Sequence, residues 1–379
     1  MSARPARRAW LATTLATTLG CGAALLGAAT FTACSRAPRR IAFVGGLTGR
    51  HADLGQGGRD AVQLALEQAG AAGEAFTLDS YDTASDPARS PEQVGKMLAA
   101  GHRVAIGPMT SSIATAMLPA ANAGALVLVS PTVSTALLGG IDDHFFRVVS
   151  SVSDYAGVSA RHHVGQSGRR RFAVLLDDAN SAYARSWLSH FAAAIAPLGG
   201  SVSREVPFKS DLKPDHDALA AMALEAQADA VLLICSAFDG AQLVQALRKR
   251  DAAVALISSE WAATEDFLRL AGRAAEGMLV SQFLDRDSTE PSYLAFVAAF
   301  TARFSRPPGF AEAAAFDAAT VVLATLRQQR DGEPFKAALL RLRRFQGLQE
   351  AIAFDDFGDA RRAVFLARVV ANRFVTLRA

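Results

Sequence analysis

Short apolar runs alternate with segments of helical periodicity along most of this chain, and the whole alternation occurs twice. The first series predicts strands at residues 41–47, 76–81, 104–106 and 125–129, with helices at 56–69, 91–100 and 111–123. The second series predicts strands at residues 171–176, 203–207, 229–235 and 254–258, each followed by a helix. Strands that are connected through helices pair in parallel, and the helices then cover both faces of the sheet. The sequence therefore predicts an α/β protein with two similar lobes.

The last hundred residues return to both lobes. After residues 277–283 come helices at 292–304 and 310–327, and two strands are predicted at 364–370 and 373–377. We expect the helices to join the first lobe and the strands to join the second. The expected organisation is two Rossmann-like lobes, with lobe 1 formed by residues 41–152 plus 283–358 and lobe 2 by residues 153–282 plus 359–379. Several connections between lobes make a multi-strand hinge, which permits closure on a ligand.

The amino terminus has the layout of an export signal. A basic head with Arg4, Arg7 and Arg8 precedes an apolar stretch at residues 9–31, and small residues then lead to Cys34. A cysteine in that place resembles the bacterial lipobox, so we predict a lipoprotein signal peptide at residues 1–34, lipidation of Cys34 and a tether at 35–40. The predicted location is the periplasm or the cell surface, with the chain anchored to a membrane by its N-terminal lipid.

Three alternatives stay open for this leader. An apolar stretch of roughly 20 residues is long enough to span a bilayer as a permanent anchor. Plain cleavage of the signal peptide would leave no lipid on the chain. Cys21 is a weaker candidate for lipidation, because its apolar region would be shorter and the rest of the apolar stretch would be left exposed.

Charge and cysteine content exclude several classes of protein. The formal net charge of the chain is +3, and the leader alone contributes +3 through its three arginines. The tether contributes a further +3 through Arg36, Arg39 and Arg40, so the net charge of the body that follows is close to −3. A body of that balance lacks the basic surface of a nucleic-acid-binding protein. Cys235 is the only cysteine after Cys34, so no intrachain disulfide and no cysteine-based metal site can form in the body. We expect a monomer without metal or cofactor.

Seven short motifs occur in a fixed order from residue 41 almost to the end of the chain. They are IAFVGGLTG (41–49), YDTASDP (81–87), IGPMTSS (106–112), SPTVS (130–134), FRV (146–148), AY (182–183) and SE (259–260). In this order and spacing, the set resembles the leucine/isoleucine/valine-binding proteins, which are type I periplasmic solute-binding proteins of ABC importers. The resemblance implies a ligand site between two lobes, ABC permease subunits as partners and no catalysis.

Polar side chains follow several of the predicted strands, and ligands of open α/β sheets bind at the carboxyl ends of strands. Ser111 and Ser112 lie where a strand ends and a helix begins, so that hydroxyls, backbone N–H groups and the helix dipole favour an anion. Ser134 follows the next strand. Glu260 follows a strand of the second lobe, where a carboxylate can pair with a ligand ammonium. Ser111 as a helix cap, Ser134 as a turn residue and Glu260 as a solvated loop residue stay open as alternatives.

The resemblance also implies roles for these side chains. Ser111 and Ser134 match positions that hold the α-carboxylate of an amino-acid ligand. Thr132, Ser134 and Glu260 match positions that meet its amino group. Tyr183 matches an aromatic wall of the site, and core packing is its alternative role.

Three further site residues depart from the family pattern. Leu54 and Ser236 stand at or near positions where relatives commonly have an aromatic side chain, and Trp261 stands where a small residue is common. Ser85 and Thr110 occupy positions where some relatives place a disulfide. The residues for the head group are retained while the side-chain pocket is altered, which argues against leucine itself as the ligand.

Two other functions fit an α/β chain of this kind. An enzyme is disfavoured because residues 45–49 lack the GxGxxG pattern of a dinucleotide-binding turn and residues 165–168 lack the GxSxG pattern of a nucleophile elbow. His162 and His163 are adjacent, so they do not have the i, i+4 spacing of a metal-binding pair on a helix. A sensor of amides or organic acids would use the same fold and cleft for signalling. The sequence favours an extracytoplasmic solute-binding lipoprotein that captures a small amino-acid-like ligand for an ABC importer.

Overall fold

The computed structural model describes residues 39–49 and 51–377 of the chain. The predicted signal peptide, the lipidation site Cys34 and most of the tether lie outside the described residues. Within them, no helix has both the length and the apolar character that crossing a bilayer requires.

The first sheet has five parallel strands. They are β1 (Arg39–Gly45), β2 (Phe76–Asp82), β3 (Val104–Ile106), β4 (Val127–Ser130) and β5 (Phe145–Arg147), in the spatial order β2-β1-β3-β4-β5. The helices between them are α1 (Ala52–Ala71), α2 (Ser90–Ala99) and α3 (Ser111–Ala123). Strands β3 and β4 are buried along their whole length, as expected when helices cover both faces of a parallel sheet.

The second sheet begins after α4 (Val152–Ala160). Its parallel strands are β6 (Arg171–Asp177), β7 (Ser201–Phe208), β8 (Ala230–Ile234), β9 (Leu256–Ser258) and β10 (Leu279–Gln282), with helices α5 (Ser181–Ile195), α6 (His216–Leu224), α7 (Ala237–Arg250) and α8 (Glu265–Ala271). The central strand β8 is an unbroken run of buried aliphatic residues, whereas the edge strand β7 alternates between exposed and partly buried positions in its first half.

The remaining elements return to the two sheets. Helix α9 (Pro291–Phe304) and helix α10 (Phe310–Gln328) pack beside α1, and α11 (Phe335–Leu342) packs on α10. A two-stranded ribbon follows, formed by β11 (Arg344–Gln346) and β12 (Ala351–Ala353). Strands β13 (Phe365–Val370) and β14 (Arg373–Thr376) then extend the second sheet, where β13 lies antiparallel to β10. The spatial order is β14-β13-β10-β9-β8-β6-β7, so the prediction of two mostly parallel, helix-flanked sheets is confirmed.

Three connections join the two sheets: residues 148–151, 283–290 and 355–364. Two of them are tied to each other, because the Ser150 hydroxyl donates to the Arg362 carbonyl at 3.0 Å and accepts from the Arg362 amide at 2.8 Å. Arg147, which directly precedes the first connection, forms an ion pair with Asp359 of the third at 2.7 Å. The third connection also contains Arg362, which is buried in an ion pair with Asp317 of α10 at 2.7 Å. The lobe boundaries at residues 41–152 plus 283–358 and 153–282 plus 359–379 follow these connections and remain our proposal.

Several short elements escape the sequence patterns. These are β5, α4, α11 and the β11–β12 ribbon. Each strand among them has three residues and each helix has at most nine. Segments of that length display no recognisable period of 2 or 3.6 residues, because one face contains only two or three side chains. The equally short β3 is recognised instead as an apolar run that ends at Gly107 and Pro108.

Candidate functional site

The carboxyl ends of the strands of both sheets meet in an interlobe cleft, which encloses a cavity of about 20 Å³. Six of the side chains predicted for the site line this cavity: Leu54, Ser111, Thr132, Tyr183, Glu260 and Trp261. A volume of that size holds about one water molecule. The cleft is therefore closed, and the two faces already contact each other.

On the side of the first sheet, the site is built from the loops after β3 and β4. Helix α3 begins at Ser111, which is buried directly behind the end of β3. The Thr132 hydroxyl donates to the Met109 carbonyl at 2.5 Å and so joins the two loops. This face contains short hydroxyl side chains around the N-terminus of a 13-residue helix, where the dipole favours negative charge.

On the side of the second sheet, the central group is the Glu260 carboxylate, in the turn that follows β9. It is 7% exposed, and it accepts hydrogen bonds from Trp187 Nε1 at 3.0 Å and from Ser134 Oγ at 3.1 Å. Burial raises the pKa of Glu260 from 4.5 to about 7, while the hydrogen bonds it accepts lower that pKa. Ser134 comes from the opposite face, so this carboxylate bridges the cleft.

Aromatic rings enclose Glu260. Tyr183 and Trp187 lie one helical turn apart on α5 and project to the same face of the helix. The Tyr183 ring meets Trp261 edge-on at 5.4 Å, and Trp261 meets His51 of the first lobe at 5.1 Å. The Tyr183 hydroxyl is buried near Glu260 and Ser259 in a geometry that forms no hydrogen bond. Low exposure and π faces around a carboxylate suit a cationic group.

Four more hydrogen bonds cross the cleft beside the cavity. Ser112 N donates to Asn180 Oδ1 at 3.0 Å, and the Ser112 hydroxyl accepts from the Ala182 amide at 3.2 Å. The Thr135 hydroxyl donates to the Ala182 carbonyl at 2.6 Å, and the Ala136 amide donates to Ser186 Oγ at 3.2 Å. Ser112, which we predicted as a ligand residue, thus serves in this structure to hold the two faces together.

The structure separates one predicted residue from the others. Ser236 lines a neighbouring cavity of about 520 Å³ with Asp53, Phe238 and Asp266, outside the closed pocket. Its hydroxyl caps α7, since it accepts from the Asp239 amide at 3.4 Å and donates to the Asp239 carboxylate at 3.0 Å. The other eight predicted residues lie in or directly beside the closed pocket.

Sequence reasoning missed several residues of the site. Trp187 donates to Glu260, Asn180 crosses the cleft, and Met109, Thr110 and Phe310 line the cavity. A signal was present for Trp187, because it follows Tyr183 by four residues on a predicted helix and therefore shares its face. Phe310 begins α10, more than a hundred residues from the nearest predicted site residue of its own lobe, and no local pattern marks it.

The described residues contain no group of three or more histidine, cysteine, aspartate or glutamate side chains that could hold a metal ion. Cys235 is buried at the end of β8, and burial raises the pKa of its thiol well above the usual value. In the cleft, a carboxylate among aromatic rings faces hydroxyls and a helix N-terminus. These two faces complement a molecule with one cationic end and one anionic end.

Comparison with known proteins agrees with this description. The chain matches the protein family described as "Periplasmic binding protein" over residues 38–373. No curated protein matches the chain.

Many solved structures share the fold. A leucine-binding protein from Thermotoga maritima is 22% identical, with a TM-score of 0.82, over 90% of this chain and 98% of that one. A branched-chain amino acid transporter substrate-binding protein from Streptococcus pneumoniae, in complex with isoleucine, is 18% identical, with a TM-score of 0.80, over 90% and 99%. A solute-binding protein of an ABC transporter from R. palustris, in complex with benzoate, is 16% identical, with a TM-score of 0.81, over 90% and 95%.

Proposed function

Since the chain belongs to the periplasmic binding protein family, and so acts as an extracytoplasmic solute-binding protein, we propose that it captures a small amino-acid-like ligand for an ABC importer. The ligand enters the interlobe cleft when the two lobes separate, since the closed cavity holds only about one water molecule, and it then places its ammonium at Glu260 and its carboxylate at Ser111 and the N-terminus of α3. Closure of the two lobes on the ligand presents a form that the permease subunits recognise. We also propose that the chain acts as a monomer and leaves its ligand chemically unchanged.

The observation that carries this proposal is the environment of Glu260. A carboxylate that is 7% exposed costs free energy unless its charge is compensated. Two neutral donors, Trp187 and Ser134, compensate it only in part, since burial still raises its pKa to about 7. A ligand ammonium supplies the missing positive charge in a cleft from which water is excluded.

The direct test is calorimetry with three matched sets of compounds: amino acids, the same carboxylic acids without the amino group, and the corresponding amides. We expect binding by an amino acid and a loss of affinity of at least about tenfold for its des-amino analogue. Mass spectrometry of the ligand recovered after incubation tests whether the protein has altered it chemically, and we expect an unchanged mass. Equal binding of an acid and its amino derivative would contradict the assignment of Glu260.

One observation favours a second ligand class. With a pKa of about 7, Glu260 is partly protonated at neutral pH and can donate a hydrogen bond to a ligand carboxylate. An aromatic or aliphatic acid would then occupy the ring-lined pocket, and the same fold could serve sensing in place of import. The des-amino compounds decide between the two classes, because an acid without an amino group is the better ligand only in this second case.

Membrane attachment through Cys34 is a further part of the proposal, supported by the sequence of the leader. We expect the parent chain to fractionate with membranes of a bacterial host and Cys34→Ser to be released, with Cys21→Ser as the matched control that stays membrane-bound. Unchanged fractionation of Cys34→Ser would exclude this anchor and leave the ligand proposal untouched.

A further inference from the structure

Apart from the closed pocket and the cavity beside it, another polar cavity lies at the edge of the first sheet that is opposite the cleft. It has a volume of about 490 Å³ and is formed where β1 and β3 begin and where α10 ends. Three arginines line it: Arg39 and Arg40 at the start of β1, and Arg103 before β3. All three are exposed. We call this cavity the basal pocket.

The charge of the basal pocket is poorly compensated within the described residues. Arg40 pairs with Asp79 at 2.5 Å, but neither Arg39 nor Arg103 forms an ion pair there. Each donates instead to one backbone carbonyl, Leu326 at 3.5 Å for Arg39 and His102 at 2.9 Å for Arg103. A guanidinium has five N–H donors, so most of the donor capacity of these two side chains stays available to an anion.

Glu333 is the one carboxylate among the residues that line the basal pocket. It is already neutralised, because it accepts two hydrogen bonds from Arg341, both at 2.8 Å, and one from the Arg330 amide at 3.0 Å. These donors lower its pKa to about 2. The pocket therefore presents net positive charge.

At the opposite edge of the molecule, the neighbouring cavity beside the cleft is lined by Asp53 of α1 and Asp266 of α8. Asp266 is paired with Arg269 at 3.0 Å, and burial raises the pKa of Asp53, so this edge has no excess of positive charge comparable to the basal pocket. A chain with its excess positive charge at the basal pocket orients in the field of an anionic surface, with the pocket toward that surface and the cleft toward solution.

The position of the basal pocket in the chain indicates which surface this is. Arg39 follows Cys34 by five residues, which span at most about 17 Å when fully extended. If Cys34 is lipidated, as proposed above, the pocket lies within that distance of the bilayer. Arginine binds phosphate oxygens through two parallel N–H donors, and the phosphodiester of a lipid headgroup is the anion that a bilayer offers.

We propose that the basal pocket binds the phosphate headgroup of an anionic phospholipid, so that the anchored receptor stands on the membrane with its cleft facing away. The lipid anchor supplies attachment, and the headgroup contact supplies orientation. Arg39 and Arg103 make the contact, and Arg40 contributes to it while it remains paired with Asp79.

Vesicle co-sedimentation of the chain from Ser35 onward tests this proposal without the anchor; the described residues form one compact unit. Vesicles contain phosphatidylcholine alone or with about 30% phosphatidylglycerol, at low salt. We expect partition only into the anionic vesicles, and a decrease of about thirtyfold for Arg39→Gln/Arg103→Gln, at roughly 1 kcal/mol for each arginine near the surface. Arg39→Lys/Arg103→Lys, which keeps the charge but loses the paired donors of the guanidinium, should partition less than the parent and more than the glutamine variant.

The matched control is Arg269→Gln/Arg273→Gln, which removes the same charge from exposed positions beside the second sheet and is expected to partition like the parent. Equal partition of the two glutamine variants, or no preference of the parent for phosphatidylglycerol, overturns the proposal. Failure of the Cys34 anchor is seen separately, in the fractionation of Cys34→Ser, and does not alter the vesicle result.

Discussion

The two faces of the cleft use different chemistry. The face from the first sheet offers small hydroxyl side chains and the N-terminus of α3, with Ser111 and Thr132 as its members. The face from the second sheet offers a buried carboxylate among large rings, with Glu260, Tyr183 and Trp261 as its members. The electrostatic potential of the first face depends mainly on backbone N–H dipoles at the start of α3. That of the second face depends mainly on the charge of one carboxylate, Glu260.

In the complex that we propose, this difference gives the ligand a direction and gives each face a different sensitivity to substitution. Negative charge on the first face is held by several N–H groups together, so loss of one hydroxyl leaves the others in place. Positive charge on the second face depends on one carboxylate, and removal of that group leaves a buried cation without its partner. Variants on the second face should therefore have much larger effects than variants on the first.

The largest effect is expected for Glu260→Gln. At pH 8 it should weaken an amino-acid ligand at least about thirtyfold, which corresponds to roughly 2 kcal/mol for a buried charge that loses its partner. Calorimetry measures the change. Glu225→Gln, at an exposed position in the same half of the chain, is the matched control and should bind like the parent. Parental affinity in Glu260→Gln would contradict the expectation that ligand binding at the second face depends on a single charged group.

The pH dependence should follow the same residue. The pKa of Glu260 is about 7 without ligand, so at pH 6 about a tenth of the molecules carry the charge that an ammonium needs. We expect affinity for an amino acid to fall about tenfold from pH 8 to pH 6, and no such dependence in Glu260→Gln. A ligand that binds more tightly at pH 6 would instead be an acid that accepts a hydrogen bond from protonated Glu260.

Stability of the ligand-free protein should change with pH in the opposite direction. A folded-state pKa above the unfolded value of 4.5 means that the folded protein retains a proton which the unfolded chain releases. The stabilisation from this proton is complete below about pH 4.5 and is lost as pH rises through about 7, up to a total of roughly 3 kcal/mol. Thermal unfolding between pH 5 and pH 8 should show the decline in the parent and a smaller one in Glu260→Gln.

A smaller effect is expected from the rings that limit the pocket. Trp261 is 5% exposed and fills the space between Tyr183 and His51. Trp261→Ala should shift the preference from alanine toward leucine by about fivefold, because buried methylene groups gain a place to pack. Phe238→Ala, in the neighbouring cavity, should leave the preference unchanged. An unaltered ratio in Trp261→Ala would show that the side-chain pocket lies elsewhere.

The smallest effect is expected on the first face. Ser111→Ala should weaken an amino acid only about threefold, since backbone N–H groups at the start of α3 continue to hold its carboxylate. Thr115→Ala is the matched control, because its hydroxyl donates to the Ser111 carbonyl on the same helix without lining the cavity. A loss for Ser111→Ala as large as that for Glu260→Gln would mean that both faces depend on single groups.

Much of the fold was predictable because its elements are long and periodic. The bounds predicted for β3 and α3 agree with the structure, and most other predicted elements of both sheets differ from it by a few residues at their ends. The strand β5 and the short helix α4 were not predictable, since a few side chains cannot display a period and neither segment is an unbroken apolar run, as the equally short β3 is.

The candidate site was predictable to a similar extent. Side chains directly after strands, such as Ser111 and Glu260, were placed at the cleft because parallel strands align their carboxyl ends at one edge. Ser236 satisfies the same rule and yet caps a helix beside another cavity. A rule about strand ends selects an edge of the sheet, and it does not determine which side chain of that edge reaches the partner lobe.

The sequence by itself determined the α/β class, the order of the elements, the edge of each sheet that forms the cleft and the charge of the leader, because periodicity and composition are local properties of the chain. The tertiary structure alone decided which groups meet. Glu260 receives its donors from Trp187 and Ser134, which are 73 and 126 residues away in the sequence. Its raised pKa follows from burial between two lobes, and desolvation depends on every atom around a charge.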